Sequence, residues 1–466
     1  MQAVVRPAGD GHRSIGGVRR MPLLPALIVL LFTFPGVARA AVPADVLVMD
    51  ESGRVHRVHT PLGTGTELPA PALALALSST ASGGADVRAA RAKVRRLRVT
   101  DALRTLVKAG SITPADADAA RREYLAARRL ARRLKGVRRK ELLAVLRTAD
   151  DLATARTLTA PRLKPVMETV RRNAQWWGAK GPVAYGQRLA FEGSALTWQA
   201  YPGQGIQIQW LASFARANQL FLAKGRDADL EALIVELVSY ATPRAGGIAW
   251  ESLFRFGGGR PPWVSGLTQG TAIQALARSG ARLHTMRWLH VARSALGVFR
   301  TAPPTGVRVT TTSPTGEIGA HYLIYSFAPG QRVYNAFLQS LIGLHDYAGI
   351  ANDPLALGLW LDGERAARRE IVQADTGSWS LYQPGILSSL GYHTVLRDFA
   401  QGLCLRLNRD RQRAVLELRD ITGDPGAVLG DLGRWPDPEP YCLTAQQFTQ
   451  YLYARRRAAG LPAPSF

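Results

Sequence analysis

Phenols and indoles are the side chains whose grouping in this sequence points to chemistry. Tyr201, Tyr325, Tyr382 and Tyr392 lie in stretches rich in Gly, Pro and Ser, in company with Trp263, Gln269, Arg332, Asn335 and His393. A phenol donates a proton, and its phenolate accepts one once nearby cations lower its pKa, so tyrosines on two faces of a substrate suit a proton exchange. Aromatic rings also stack on sugar faces, although a buried Trp is simply core in most proteins. Other chemistries lack their residues. Ser194 and Ser265 have no G-x-S-x-G context for a serine hydrolase. Gly257, Gly258 and Gly259 precede Arg260 and two prolines rather than a strand-linked helix, so they form no nucleotide loop. Cys404 and Cys442 stand in no zinc-like spacing, and no metal or other cofactor is expected. Glu251 and Asp346 read as helix-end partners.

The elements that must hold these residues are helical. Nine of the ten Trp fall from Trp176 to Trp379, where Arg thins out and helical periods recur. In LHTMRWLHVARSALGVF, Leu289, Ala292, Leu296 and Phe299 share one face. Further helices fit SGLTQGTAIQALARSG, YNAFLQSLIGLHDYAGI and residues 353–374. Successive helices joined by Gly-, Pro- and Tyr-bearing loops predict a mainly α protein, an α/α toroid or incomplete barrel of helical hairpins around a cleft. Beyond residue 401 the alternation in LCLRLNRDRQRAVLELRDI predicts a small β-hairpin turning near Asn408 to Asp410, followed by a short helix from Thr444 to Ala458.

The chain of 466 residues carries a formal net charge of +24, and its 47% hydrophobic content excludes a disordered chain, a disulfide-stapled miniprotein and a multi-span membrane protein. Arg13, Arg19 and Arg20 precede the apolar run MPLLPALIVLLFTFPGVARA, which closes on the A-x-A pattern of Ala38, Arg39 and Ala40. Residues 1–40 therefore read as a secretory signal, with translation starting at Met1 or Met21 and a retained membrane anchor as the alternative. Export makes Cys404 and Cys442 candidates for a disulfide, the other reading being two reduced thiols. Residues 41–86, rich in Pro, Gly, Ala, Ser and Thr, read as a linker. From residue 88 to 172 there are 24 Lys or Arg against 8 Asp or Glu, in amphipathic helical patterns. This basic segment, 87–165, is either a solvated face or a surface for a polyanion. No aromatic interleaving favours nucleic acid there. The plan is completed by a catalytic toroid over 166–401 and a C-terminal cap over 402–466.

Four ordered blocks carry a resemblance. They are YPGQGIQIQW from Tyr201, PPWVSGLTQG around Trp263, YNAFLQSLIGLHDY from Tyr334, and SLYQPG with GYHT around Tyr382 and Tyr392. Together, over about 200 residues, they resemble the C-terminal domain of the D-glucuronyl C5-epimerase family, with its PWxSxxxQG, LNGFxxxLxGLYD, SLYDLR and YHxxHI blocks. The resemblance implies a helical-toroid catalytic domain that converts D-glucuronate to L-iduronate in a heparosan-like polymer. It implies acid/base tyrosines at Tyr325, Tyr382 and Tyr392. Substrate contacts are expected at Tyr201, Trp263, Gln269, Asn335, Arg332 and His393, and the family supplies a precedent for a homodimer. The expected partner is thus an acidic, uronate-containing polysaccharide and not nucleic acid, with a membrane involved only if the N-terminal segment stays uncleaved. Two departures stand out: HYLIYS, His321 to Ser326, replaces WYEEYP, putting Leu323 and Ile324 where the family has an acidic pair, and Gly385 stands in place of the Arg of SLYDLR. His321, His393 and Arg332 are the residues available to compensate. The rivals to an epimerase are a non-catalytic glycan-binding protein and a polysaccharide lyase, since elimination begins with the same proton abstraction.

Overall fold

The computed structural model describes residues 45–59, 96–422 and 436–460. The signal reading of residues 1–40 lies outside them. Among the described residues no helix is long and apolar enough to cross a membrane.

The described chain is mainly helical, with one five-stranded sheet and three two-stranded hairpins. Strands β1 (Asp45–Met49) and β2 (Val55–His59) come first, and four helices follow: α1 (Val99–Lys108), α2 (Pro114–Arg133), α3 (Gly136–Thr154) and α4 (Ala160–Ala179). Strands β3 (Arg188–Phe191), β4 (Trp198–Tyr201) and β5 (Gly205–Ile208) complete the sheet in the order β2-β1-β3-β4-β5, with only β1 and β3 parallel. Then come α5 (Trp210–Leu222), α6 (Asp227–Val238), the hairpin β6 (Thr242–Arg244) and β7 (Gly247–Ala249), α7 (Gly266–Arg282), α8 (Met286–Ser294) and α9 (Gly297–Arg300). The hairpin β8 (Arg308–Thr312) and β9 (Ile318–Tyr322) leads to α10 (Tyr334–Ala351) and α11 (Pro354–Gln373). The hairpin β10 (Leu381–Gln383) and β11 (Ile386–Leu387) precedes α12 (Leu390–Thr422) and α13 (Glu439–Ala458).

Local chemistry sets the helix ends. The Thr113 hydroxyl accepts from the Asp116 N–H with Pro114 at the first helical position, the Ser265 hydroxyl accepts from the Thr268 N–H, and Asp353 caps α11 through the N–H groups of Leu355 and Ala356. Tertiary packing centres on α7 and α10. A Cβ at Gly343 would lie 2.0 Å from the Gly270 carbonyl oxygen, and one at Gly270 would lie 2.6 Å from the Ser340 Cα, so the two backbones touch. Gln339 donates to Thr271 and Gln274, while Gln274 and Arg278 both donate to Asp346. The pairing rises together along both helices, so they run in the same direction and their N-termini lie at one end.

Three expectations are corrected. Residues 45–59 are not linker: DVLVM and VHRVH form paired strands around a turn in which the Asp50 carboxylate accepts from the Arg54 N–H. A composition averaged over 41–86 hides these β-branched runs, and residues 60–86 lie outside the described residues. The expected β-hairpin after residue 401 is instead part of α12. Leu396, Ala400, Leu403 and Leu407 are buried at helical spacing while Leu405 is exposed, so the apparent alternation is one helix face sampled at every second residue. The Cys404–Cys442 disulfide, which joins α12 to α13, is present. The third correction concerns the boundary at 165/166, which falls inside α4. The basic helices belong to the same compact unit, residues 42–466, and Tyr124, Leu142, Val145 and Leu152 share one core with Trp250, Leu276 and Phe337. An amphipathic period shows that a helix has an apolar face but not what that face packs against.

Polar contacts reinforce this union. Asn173 of α4 exchanges two hydrogen bonds with the Ile206 backbone, and Glu141 of α3 accepts from the N–H groups of Gly203 and Gly205. Glu251, after β7, has a fully buried carboxylate held by Arg162 of α4 (2.9 Å), Arg244 of β6 (2.6 Å) and the Thr242 hydroxyl (2.8 Å). Burial pushes this carboxyl up, but the hydrogen bonds and charge of Arg162, with those of Arg244 and Thr242, outweigh it and hold the group below its ordinary value. Replacing Glu251 by Gln strands two nearly buried guanidinium groups and should lower stability by roughly 3 kcal/mol, read by denaturant unfolding. Because the folded value is depressed, the wild-type contribution is complete above pH 4.5 and fades as pH falls through the folded value, a slope that the variant should lose.

Candidate active site

Most of the predicted aromatic residues meet in a second hydrophobic cluster, apart from the main core. It joins Tyr201, Phe254, Phe256, Trp263, Tyr325 and Tyr382 with Leu211, Leu267, Ile324, Val333 and Ala336, and Tyr185, Phe327 and Tyr392 pack against it. The N-terminal ends of α7 and α10 supply Leu267 and Ala336, so the parallel helix pair sets where the cluster forms.

Backbone pairing places each ring. Ser252 and Trp263 form an antiparallel bridge, and the Trp263 indole N–H donates to the Phe254 carbonyl (2.8 Å). The Tyr325 loop lies along the entry to α7: the Gly266 N–H donates to the Leu323 carbonyl, the Ser326 N–H to the Val264 carbonyl, and the Val264 N–H to the Ser326 hydroxyl. Tyr325 consequently stacks on Phe327 with ring centroids 5.2 Å apart and meets Trp263 edge-on at 5.6 Å. Tyr382 comes from β10, whose turn to β11 is Pro384–Gly385. Gly385 has φ of +76°, a left-handed position where an Arg is strained, which gives the departure at this residue a backbone cause. Tyr382 and Tyr392 lie 4.8 Å apart, ring to ring. Tyr201 ends β4, and its hydroxyl accepts from the Gln209 amide (2.8 Å).

Four side-chain hydroxyls among the described residues are buried without a hydrogen-bond partner, those of Thr311, Tyr325, Tyr382 and Ser388, and two of them belong to the cluster. The Tyr325 and Tyr382 oxygens are buried without any hydrogen-bond partner. Such a group costs about 1–3 kcal/mol of desolvation unless water or a ligand completes it. Burial pushes the Tyr325 phenol well above its ordinary value, and the neighbouring phenols of Tyr382, Tyr392, Tyr185 and Tyr201 push the same way. Burial likewise raises Tyr382, with Tyr392 adding to it. The expectation that cations lower these phenols is therefore corrected: no cation is among the influences on either, and both are neutral acids in the resting site.

Residues 247–410 match the family model for the D-glucuronyl C5-epimerase C-terminus. This segment belongs to the C5-epimerase family. The D-glucuronyl C5-epimerase of Caenorhabditis elegans is 31% identical over 137 residues, covering 26% of this chain and 21% of that protein, so the match spans about a fifth of the relative's length. Tyr325, Tyr382, Tyr392 and Trp263 lie inside the matched C5-epimerase segment, whereas Tyr201 precedes it.

Other predicted residues are placed differently. Gln269 is buried, with its amide N–H groups donating to the Ile248 and Ala295 carbonyls, so it ties β7 and the end of α8 to α7 instead of facing the tyrosines. His393 is fully buried: Nδ1 pairs with the Ser380 hydroxyl (2.7 Å), Nε2 with the Phe448 carbonyl (3.0 Å), and Trp379 stacks on the ring at 3.7 Å. Both nitrogens are committed, which corrects its assignment as a substrate contact; it anchors the hairpin that carries Tyr382 to α13. Asn335 is buried in the first turn of α10, its carbonyl accepting from the Ala336 N–H. Arg332 and His321 both turn to Glu370 of α11, at 3.3 and 2.7 Å. The sequence reading missed Glu370, since nothing local in REIVQ marks a carboxylate that gathers an arginine and a histidine from distant positions. It also missed Tyr185, Phe254 and Phe327, ordinary residues of their loops until the fold brings them together. Among the described residues no group of three His, Cys, Asp or Glu is arranged to hold a metal.

The unpartnered hydroxyls make an unusual stability prediction. Tyr325→Phe and Tyr382→Phe should leave the ligand-free protein as stable as wild type or more so, by up to about 1 kcal/mol, because each removes an unsatisfied group with little change of shape. Burial also gives these phenols an alkaline penalty: above pH 10, their ordinary value, the unfolded chain ionises them while the folded chain does not, so stability falls as pH rises toward the folded values. The two variants should blunt this alkaline loss, measured by unfolding at a series of pH values.

Proposed function

We propose that the protein is a uronate C5-epimerase acting on an acidic polysaccharide, with its helices arranged as an α/α toroid about the tyrosine cluster, and that it is exported. The observation that carries this reading is the convergence of Tyr325, Tyr382 and Tyr392 with two buried, unsatisfied hydroxyls inside the family-matched segment.

Carbon 5 of a uronate lies beside the carboxylate, and losing its proton builds charge on an enediolate. Epimerisation needs a base on one ring face, an acid on the other and stabilisation of that charge. Tyr382 and Tyr392 are the pair assigned to the two faces, with Tyr325 and Tyr201 positioning the sugar against Trp263. The exchange balances with one phenolate and one phenol: Tyr392, its proton having passed to solvent, takes the carbon 5 proton, and the neutral Tyr382 phenol returns a proton to the opposite face as the enediolate collapses, leaving Tyr382 as the phenolate. The N-termini of α7 and α10, whose first turns join the cluster, favour negative charge at that end. Substrate contacts by Asn335 and a pairing of two chains into a dimer belong to the same reading. Conversion of glucuronate to iduronate in a heparosan-like polymer is its most specific form.

A specific observation favours one rival, a glycan-binding protein without catalysis. Leu323 and Ile324 are buried where the family has an acidic pair, and Gly385 stands where it has an Arg, so three charged groups are absent from this site. Solvent deuterium incorporation into a uronate polymer separates the readings. The epimerase gives exchange without cleavage, reduced at least about a hundredfold in Tyr382→Phe and in Tyr392→Phe, the scale of a lost general acid or base. Unsaturated chain ends would mark a lyase instead, and binding with no exchange would mark the non-catalytic module.

A further inference from the structure

A cleft of about 670 Å3 opens where α1 and α3 meet the β4–β5 turn, and its lining includes Arg96, Arg98, Arg128, Arg147 and Arg255. Its two carboxylates are already engaged. Asp150 accepts from the Tyr124 hydroxyl (2.7 Å), the Val99 N–H (3.1 Å) and Arg128 (3.3 Å), while Asp151 pairs with Arg255 at 2.6 Å. Arg96, Arg98 and Arg147 form no ion pair with a described residue, and all three are exposed. Five guanidinium groups against the two carboxylates of Asp150 and Asp151 leave the cleft with an excess of positive charge, which makes a site for anions.

The cleft and the tyrosine cluster share two loops. Gly203 and Gln204 line it while Tyr201, at the start of the same turn, belongs to the cluster; Arg255 lines it while Phe254 and Phe256 belong to the cluster. The Arg255 N–H donates to the Gln204 side-chain carbonyl, which fastens these two shared loops together (3.1 Å). Four of the five arginines lie outside the family-matched segment.

We propose that this arginine cleft is a second anion-binding site, which holds carboxylate or sulfate groups of an acidic polysaccharide on units outside the one presented to the tyrosines. The polysaccharide class rests on the proposed function. No aromatic side chain is among the residues lining the cleft, so nucleic-acid bases would find no stacking platform there. Flexible chains bearing a charge on alternate sugars suit spaced guanidinium forks instead.

The test compares the full-length protein with Arg96→Glu/Arg147→Glu, two exposed changes that break no ion pair among the described residues, and with Arg132→Glu/Arg133→Glu, an equal charge reversal at the end of α2, away from the cleft. Heparosan, its disaccharide and a single-stranded oligonucleotide serve as probes over a range of salt. The cleft variant should lose about tenfold or more in heparosan affinity, with a shallower salt dependence, while the control variant loses much less and disaccharide binding is unchanged. Unchanged heparosan affinity in the cleft variant would overturn the site. Equal losses in both variants would reduce it to a diffuse basic field, and oligonucleotide binding tighter than heparosan and lost in the cleft variant would reassign it to nucleic acid. Deuterium exchange is read separately: a wild type that binds heparosan through the cleft yet exchanges nothing overturns the epimerase reading and leaves the cleft intact.

Discussion

Gly270 and Gly343 bring two helix backbones into contact, and the remainder of the site depends on that approach. With any side chain at either position, α7 and α10 would be forced apart, and their N-terminal ends would no longer meet at one end of the molecule. Trp263 and the Ser265 cap enter α7 there, and the loop bearing Tyr325 passes along that entry before reaching α10. The glutamine and aspartate contacts running up the pair, from Thr271 to Asp346, fix its direction as well as its spacing. Asp346 is the strongest anchor: despite burial, which opposes charge, bonds from His345, Arg406 and Arg278 keep it ionised far below the ordinary carboxylate range.

Around this pair the protein spends stability at one place and gains it at others. The unsatisfied phenols of Tyr325 and Tyr382 oppose folding, whereas the Glu251 network, the Asn173 and Glu141 contacts to the β4–β5 turn and the Cys404–Cys442 bond favour it. These supports come from both ends of the chain. The basic N-terminal helices are therefore a wall of the same unit as the tyrosine cluster, and their charge is held at a fixed distance from it. A basic surface on a tethered segment would act as a long-range field; one built into the wall acts at defined positions along a bound chain.

Much of the site was legible because the relevant signals are local. The helical periods and the ordered tyrosine blocks sit within a few residues of the features they produce. What was not legible depended on distant partners. His393 looked like a site residue because it follows Tyr392, yet in a helix the next residue points about 100° away, and its ring enters the contact between Trp379 and Phe448. Arg332 and His321 looked available because their common partner, Glu370, stands 38 and 49 residues further on in an unremarkable helix. The phenol pKa values were misjudged in sign because residue types name the cations available but not whether they reach the rings.

By itself the sequence determined the helical character, the aromatic C-terminal half, the family of residues 247–410 and the identity of the tyrosines that would meet. Periodicity, capping and motif order are properties of short windows, and short windows carry them completely. Tertiary structure alone decided that residues 45–59 add strands to the sheet, that the stretch after residue 401 continues a helix, that the basic segment shares the core, and that two phenols of the cluster are buried without a protein partner. Each of these outcomes is fixed by which surfaces meet across long sequence separations, and burial, desolvation and hydrogen-bond completion exist only once they have met.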